Sequence, residues 1–120
     1  MTHSIKERIM RKILSIITVS AMISTAASAG TAWNTHITYI RVTNNGYVLF
    51  NVSNHSNDTP ACAAASNGGF VFNANTPAGQ AQMSYFMTQV TTGKVFSVVG
   101  TGDCATWGGF ETVGYFDANN

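Results

Sequence analysis

The sequence predicts a small α+β domain, with a mainly antiparallel sheet or OB-like barrel of about five strands and one covering helix. Short runs rich in β-branched and aromatic residues lie before and after a single stretch with helical periodicity. Strands and helices do not alternate along the chain, which argues against a parallel βαβ sheet.

Residues 1–29 are predicted to be a signal peptide. MTHSIKERIMRK carries four basic side chains and one acid, and ILSIITVSAMISTAA is apolar. Ala27-Ser28-Ala29 then places small residues at the positions that signal peptidase recognises. The apolar run is shorter than the roughly 18 to 20 residues of a membrane span, so a retained membrane helix is the weaker alternative. We expect cleavage after Ala29 and one secreted or periplasmic domain over 30–120, without membrane attachment after processing.

The charges of this predicted mature chain exclude one class of partner. Residues 30–120 contain two basic and four acidic side chains, which gives a net charge of −2. DNA- and RNA-binding proteins need clustered Lys and Arg to neutralise phosphates, and no such cluster exists here. We therefore expect no nucleic-acid partner.

The two cysteines are expected to form one disulfide, because exported thiols are oxidised when geometry allows. A Cys62–Cys104 bridge would close a loop of about 40 residues and contribute roughly 3 to 4 kcal/mol. Free thiols or an intermolecular bridge are the alternatives. His36 and His55 add no metal-binding spacing, so we expect neither a metal nor a cofactor.

The first predicted element is a hairpin. Residues 36–43 and 47–53 are alternating runs around Asn44-Asn45-Gly46, and Asn-Gly favours a type I′ turn because both central residues need positive φ. Residues 54–69 lack periodicity and are predicted to be a long loop held in the middle by Cys62.

One helix is predicted from Thr76-Pro77 to about Thr92. Thr76 is a capping residue, Pro77 suits the first helical position, and Gly93 supplies the stop. Apolar residues recur at helical spacing and indicate a core-facing stripe rather than a ligand site: Met83, Phe86, Met87 and Val90. Three further strands are predicted, at 70–72, 95–100 and 110–116.

The residues offer little for catalysis. There is no G-x-S-x-G motif, and both histidines are interpreted as solvated. Asp103 and Glu111 lie at opposite ends of one predicted loop and could form the carboxylate pair of a glycosidase. The better interpretation is that both are charged residues at the protein surface. No catalytic residue is assigned, and an enzyme is the less favoured class.

Aromatic side chains are the candidate binding residues. Trp33, Tyr47 and Trp107 lie next to loops rich in Gly and Asn, where exposed rings stack on sugar faces or anchor protein contacts. Trp107 is the leading candidate, because Cys104 would fix its loop and the neighbouring glycines would hold the ring at the surface. The alternative is that both tryptophans cap the open ends of a small core.

Several segments together resemble a group of small secreted bacterial proteins without an assigned activity. They are Trp33, the Asn-Gly hairpin, Thr59-Pro60-Ala61-Cys62, Phe70-Val71-Phe72-Asn73, Thr92-Gly93-Lys94 and Val99–Cys104 with Trp107. More distantly, Gln80-Ala81 with Tyr85-Phe86 and the element order are similar to the sugar-binding B subunits of pentameric toxins of the subtilase-cytotoxin type. That resemblance implies an OB-like barrel and a homo-oligomer. The cysteines of those subunits pair locally, however, so no glycan-contact residue is transferred to this chain.

The sequence thus predicts a secreted, noncatalytic recognition module that binds a glycan or a protein surface. A small secreted hydrolase or an inhibitor-like effector is the alternative. Sparse acids and bases beside plentiful aromatics favour the recognition module.

Overall fold

A six-stranded sheet curled into a half-barrel, with one long helix, forms residues 28–118, which are the part of the chain that this computed structural model describes. The strands are β1 (Thr31–Thr35), β2 (Ile37–Val42), β3 (Tyr47–Val52), β4 (Phe70–Asn73), β5 (Phe96–Gly100) and β6 (Glu111–Ala118). Helix α1 spans Pro77–Thr92 and a 3-10 helix spans Ala61–Ser66. The predicted α+β class is confirmed. The predicted signal peptide lies outside the described residues, apart from Ser28 and Ala29.

The strand order is β1-β5-β6-β4-β3-β2, and every neighbouring pair is antiparallel except β4 with β6. The edge strands β1 and β2 follow one another in the chain and are separated only by His36. Asn34, with a φ of 50°, lies where the pairing of β1 becomes irregular. A single bent segment therefore forms both edges, and this curls the sheet.

The sixth strand is β1, which the sequence does not predict. Its sequence, TAWNT, contains Ala and Asn, which are depleted in strands, and its register to β5 shifts between Ala32 and Thr35. β1 is stabilised by its pairing with β5, which lies more than 60 residues away in the chain. The strand propensity of residues 31–35 alone cannot indicate that pairing.

The hairpin between β2 and β3 is confirmed, but its turn differs from the type I′ turn predicted. Gly46 has a φ of 85°, whereas neither Asn44 nor Asn45 has a positive φ. The Gly46 N–H donates to the Thr43 carbonyl at 3.1 Å, and the Thr43 N–H donates to the Tyr47 carbonyl at 2.9 Å. The loop therefore has three residues with a left-handed glycine last, which is the next most common hairpin connection.

Helix α1 begins and ends as predicted. The Gly79 N–H donates to the Thr76 side chain at 2.9 Å, Pro77 follows the cap, and Gly93 ends the helix with a φ of 66°. The apolar stripe is only partly a core stripe. Phe86 is buried and Met83 packs against the core, but Met87 and Val90 are 45% and 37% exposed, which corrects the prediction for these two.

The main core lies on the concave side of the sheet, beneath α1. Its buried members come from five strands and the helix: Ala32, Val48, Phe50, Val52, Phe70, Phe72, Phe86, Phe96, Val98 and Val113. Phe50 contacts Phe86 with ring centroids 4.9 Å apart, so aromatic pairs join helix and sheet.

Candidate functional site

The predicted disulfide is present and fixes the convex side of the sheet. Cys62 in the 3-10 helix is bonded to Cys104 in the loop between β5 and β6. The segment predicted as a loop at 54–69 thus contains the 3-10 helix Ala61–Ser66, and the Ser66 carbonyl accepts a hydrogen bond from the Asn51 side chain at 2.7 Å. Leu49 and Val71 are fully buried outside the main core, on the face that this covering occupies. The two segments that the disulfide joins, the 3-10 helix Ala61–Ser66 and the loop at 101–110, are called the pinned cover below.

Two of the three predicted binding residues meet at the pinned cover. The rings of Tyr47 and Trp107 lie with centroids 5.5 Å apart at an angle of 58°. Both side chains are partly exposed. Trp107 also pairs with Phe110, whose N–H donates to the Trp107 carbonyl at 3.3 Å, and Gly109 turns the loop with a φ of 88°. Tyr47 thus supports the Trp107 ring, which both covers the sheet and reaches the surface.

Trp33 lies apart from this pair. It is in edge strand β1, 50% exposed, and points away from the core, because the preceding residue Ala32 faces the core. No aromatic ring contact of Trp33 occurs within residues 28–118. The structure therefore joins two of the predicted residues and separates the third.

A larger opening lies between α1 and β6. β4 and β6 pair only where Phe70 and Val71 meet Glu111 and Thr112, so the rest of β6 has no strand partner on that side among the described residues. The first half of α1 lies across this gap and leaves a cleft of about 350 Å³. Its lining is neutral and comes from both elements: Ala78, Ala81, Gln82, Tyr85, Gly114, Tyr115 and Phe116. This is called the helix cleft below.

The helix cleft contains hydrogen-bonding capacity that the protein does not use. Tyr85 stacks on Phe116 at 5.5 Å and 25°. Its hydroxyl is buried and has no hydrogen-bond partner among the described residues. Burial, helped by the nearby negative charge of Asp117, raises the pKa of Tyr85, so the hydroxyl stays protonated. Tyr115, on the same cleft, is 51% exposed. Because Phe116 packs against the core, strand alternation places the Tyr115 side chain on the opposite face of β6. The stacked rings of Tyr85 and Phe116 are therefore the aromatic surface beside the Gln82 amide and the unpaired hydroxyl.

A second cleft, at the other end of α1, is smaller. It encloses about 130 Å³ between β2 and the end of the helix, and is lined by His36, Ile37, Ile40, Gln89, Val90, Gly93 and Lys94. Small-molecule sites usually start at about 300 Å³. Its size makes it the poorer candidate.

Asp58 and the two acids considered for catalysis, Asp103 and Glu111, are part of the scaffold. Asp58 accepts hydrogen bonds from the Thr31 N–H at 3.1 Å and the Thr31 hydroxyl at 2.8 Å. Asp103 accepts from the Ala105 N–H at 3.0 Å, and this bond, with the Thr101 and Thr112 side chains, lowers the pKa of Asp103. Three of the four acids of the predicted mature chain, Glu111 included, are thus bound to backbone groups.

The prediction that Glu111 is a charged surface residue is wrong, because Glu111 is only 1% exposed. Its Oε2 accepts from the Gly30 and Gly102 N–H groups, each at 2.8 Å. Burial raises the pKa of Glu111, and the two hydrogen bonds offset this in part. A Cβ on Gly30 or Gly100 would overlap the carboxylate, so glycine is required at both positions.

His55 also differs from its prediction as a solvated residue. Its ring stacks on Phe70 with centroids 6.1 Å apart and 15° between the planes. Burial lowers the pKa of His55, against an opposing effect of Asp58. Within residues 28–118, no three His, Cys, Asp or Glu side chains converge as metal ligands.

Sequence reasoning did not select Gln82, Tyr85 and Tyr115 as a site. The available signal is Gly114 in FETVGYF, a glycine inside a strand pattern, which often marks a bulge or a close approach. The register of β5 to β6 does shift there, between Val99 and Gly100. Because the helix cleft depends on where α1 lies over β6, local sequence could not show it.

In the described part of the chain, no helix is both long enough and apolar enough to cross a membrane. Comparison of the chain with protein-family models, with curated proteins and with solved structures gives no match.

Proposed function

We propose that this chain is an exported, noncatalytic recognition module that binds a saccharide in the helix cleft. The observation that carries the proposal is the buried Tyr85 hydroxyl, which has no partner among the described residues, beside a neutral cleft of about 350 Å³. A buried polar group without a partner costs free energy, and a ligand hydroxyl in the cleft would remove that cost.

The chemistry of the cleft lining favours a neutral, hydroxyl-rich ligand. Its volume of about 350 Å³ is within the range of small-ligand sites. The stacked Tyr85 and Phe116 rings offer apolar surface to a sugar ring, and the Gln82 amide has both donors and an acceptor. No charged residue lines the cleft. A phosphate or carboxylate ligand would lack a counter-charge there.

The state of the acids favours recognition over hydrolysis. Glycosidases need two carboxylates that flank the bond to be broken. Asp58, Asp103 and Glu111 are hydrogen-bonded to the scaffold, which leaves Asp117 as the acid closest to the helix cleft. One carboxylate does not supply an acid–base pair.

Export is part of the proposal. A disulfide is compatible with an extracellular or periplasmic location, where thiols become oxidised. The basic start, the apolar run and Ala27-Ser28-Ala29 supply the targeting and cleavage signals. Intact-mass measurement of the exported protein tests this step, and a mass that includes residues 1–29 would contradict it.

The binding test compares three variants on a glycan array and then with any saccharide that binds. Tyr115→Ala should weaken binding, because Tyr115 contributes to the cleft lining, with little change in the unfolding midpoint since its side chain is 51% exposed. Tyr85→Phe removes one hydroxyl and should weaken binding by roughly threefold to tenfold without loss of stability. Tyr39→Ala is the matched control, because Tyr39 is 41% exposed on β2, outside the cleft lining, and should bind normally.

Two results would contradict the proposal. One is an array on which no saccharide binds the folded protein. The other is binding that survives Tyr115→Ala and Tyr85→Phe unchanged. Capture of a protein ligand through the same cleft would assign the site to a protein surface instead. The homo-oligomer implied by the toxin resemblance is tested separately by mass in solution, where a ring of about five subunits is expected and a monomer contradicts it.

A further inference from the structure

Glu111 is a buried carboxylate with no positively charged partner among residues 28–118. Two backbone N–H groups bind its Oε2, and the charges that act on it come from Asp58 and Asp103, both negative. No lysine or arginine within residues 28–118 forms an ion pair with it. Buried carboxylates are usually paired with a cation, because an uncompensated buried charge is costly.

The residue in contact with this carboxylate is the first residue after the predicted cleavage site. The Gly30 nitrogen lies 2.8 Å from Glu111 Oε2. In the uncleaved chain this nitrogen is a neutral amide. Cleavage after Ala29 would turn the same atom into an α-ammonium group, which carries a full positive charge at neutral pH.

We propose that the α-amino group of Gly30, released by cleavage after Ala29, forms a buried ion pair with Glu111 and thereby makes Ala29–Gly30 a processing site that stabilises the mature fold. The hydrogen bond already present would be retained, and only its donor would gain charge. Because the carboxylate is buried in either form, the ammonium adds attraction without further desolvation of Glu111.

The surroundings of Gly30 fit this role. Its carbonyl accepts a hydrogen bond from the Gly100 N–H at 2.8 Å, and Thr31 is held by Asp58, so the chain is fixed from Gly30 onward. A side chain at position 30 would overlap the carboxylate, so the residue after the cleavage site must be glycine. Gly30 is also buried, so enzymatic cleavage has to precede folding.

The experiment uses the full chain exported from a bacterial host, with Lys94→Arg so that Gly30 carries the sole amine of the processed protein. Intact mass first identifies the processed end, and an end other than Gly30 would overturn the proposal. A portion is then unfolded with its disulfide intact, acetylated and refolded. Acetylation restores a neutral amide at Gly30 while it adds very few atoms.

We expect acetylation to reduce the folding equilibrium constant near pH 6.5 by about tenfold for each pKa unit of mutual shift. In a Glu111→Gln background the reduction should fall to less than about threefold, since no charge remains to pair. The ion pair raises the pKa of the Gly30 amine in the folded protein above the unfolded value of about 7.7. The ion pair therefore contributes its full stabilisation below about pH 7.7, and this contribution is lost as pH rises through the pKa of the folded protein. Equal denaturant midpoints for the free and acetylated proteins would overturn the proposal, as would the same effect in both backgrounds.

A direct titration covers the case in which Glu111→Gln does not fold. In the processed protein, the Gly30 amine followed by NMR should titrate above the ordinary α-amino range of about 7.7 to 8.0. An amine that titrates within that range would overturn the proposal. No saccharide is used in these measurements, so their failure is distinguishable from the failure of the recognition proposal, although both depend on export.

Discussion

The pinned cover and the helix cleft use aromatic residues in opposite ways. In the pinned cover, Trp107 packs on Tyr47, and the nearby polar groups of Asp103 and Ser66 are hydrogen-bonded within the chain. In the helix cleft, Tyr115 is half-exposed and the Tyr85 hydroxyl is buried without a partner among the described residues. A disulfide and a tryptophan mark a conspicuous stretch of sequence, but unused hydrogen-bonding capacity is the better indicator of a ligand site.

Removal of the disulfide, which belongs to the pinned cover, is expected to cause the largest loss of stability. The double variant Cys62→Ala with Cys104→Ala should lose about 2 to 5 kcal/mol of unfolding free energy, because the unfolded chain regains the entropy of a long loop. Urea unfolding measures this. Reductant should bring the wild type down to the midpoint of the variant and leave the variant unaffected. A variant as stable as the oxidised wild type would contradict a structural role for the pinned cover.

Trp107→Ala should have an intermediate effect. Loss of the ring contact with Tyr47 and exposure of the face beneath should cost about 1 to 2 kcal/mol. Saccharide binding should be unchanged, in contrast to Tyr115→Ala. If Trp107→Ala abolished binding while stability stayed the same, the ligand site would belong to the pinned cover, as the sequence first suggested.

Acidification should have the smallest effect, and it acts beside the pinned cover. Burial lowers the pKa of His55, so below its ordinary value of 6.5 the unfolded chain binds more protons than the folded one. Stability is therefore fully present above pH of about 6.5 and is partly lost as pH falls through the lowered value. His55→Gln should reduce this slope in unfolding experiments between pH 7 and 5. An identical slope in both proteins would show that His55 is not its source; Glu111, with its raised pKa, acts in the opposite direction.

Features that depend only on residues close together in the sequence were predictable. The Gly46 hairpin, the Thr76 cap and the Gly93 stop each depend on the backbone preferences of one or two residues. The Cys62–Cys104 bridge followed from the number of cysteines and the predicted export. Local chemistry of this kind survives whatever the tertiary arrangement is.

Features that depend on distant partners were not predictable. β1 exists through its pairing with β5, and the parallel contact of β4 with β6 leaves the gap beside which Tyr115 lies. Glu111 was interpreted as a surface acid, since buried carboxylates are rare, and its enclosure comes from glycines at positions 30, 100 and 102. The exposure of Met87 shows the same limit, because periodicity marks a stripe but not how much of it a small sheet can cover.

The position of β6 in the sheet has a consequence for the order of folding. This strand, Glu111–Ala118, lies between β5 and β4 near the middle of the sheet, yet it comes last among the six strands of residues 28–118. A chain that emerges N-terminus first presents the other five strands before the one that joins the two halves. The hairpin can form early, but the half-barrel and the Glu111 pocket that receives Gly30 must wait for the final residues. If the chain is exported as proposed, it would cross the membrane unfolded, and the half-barrel would form only after transport is complete.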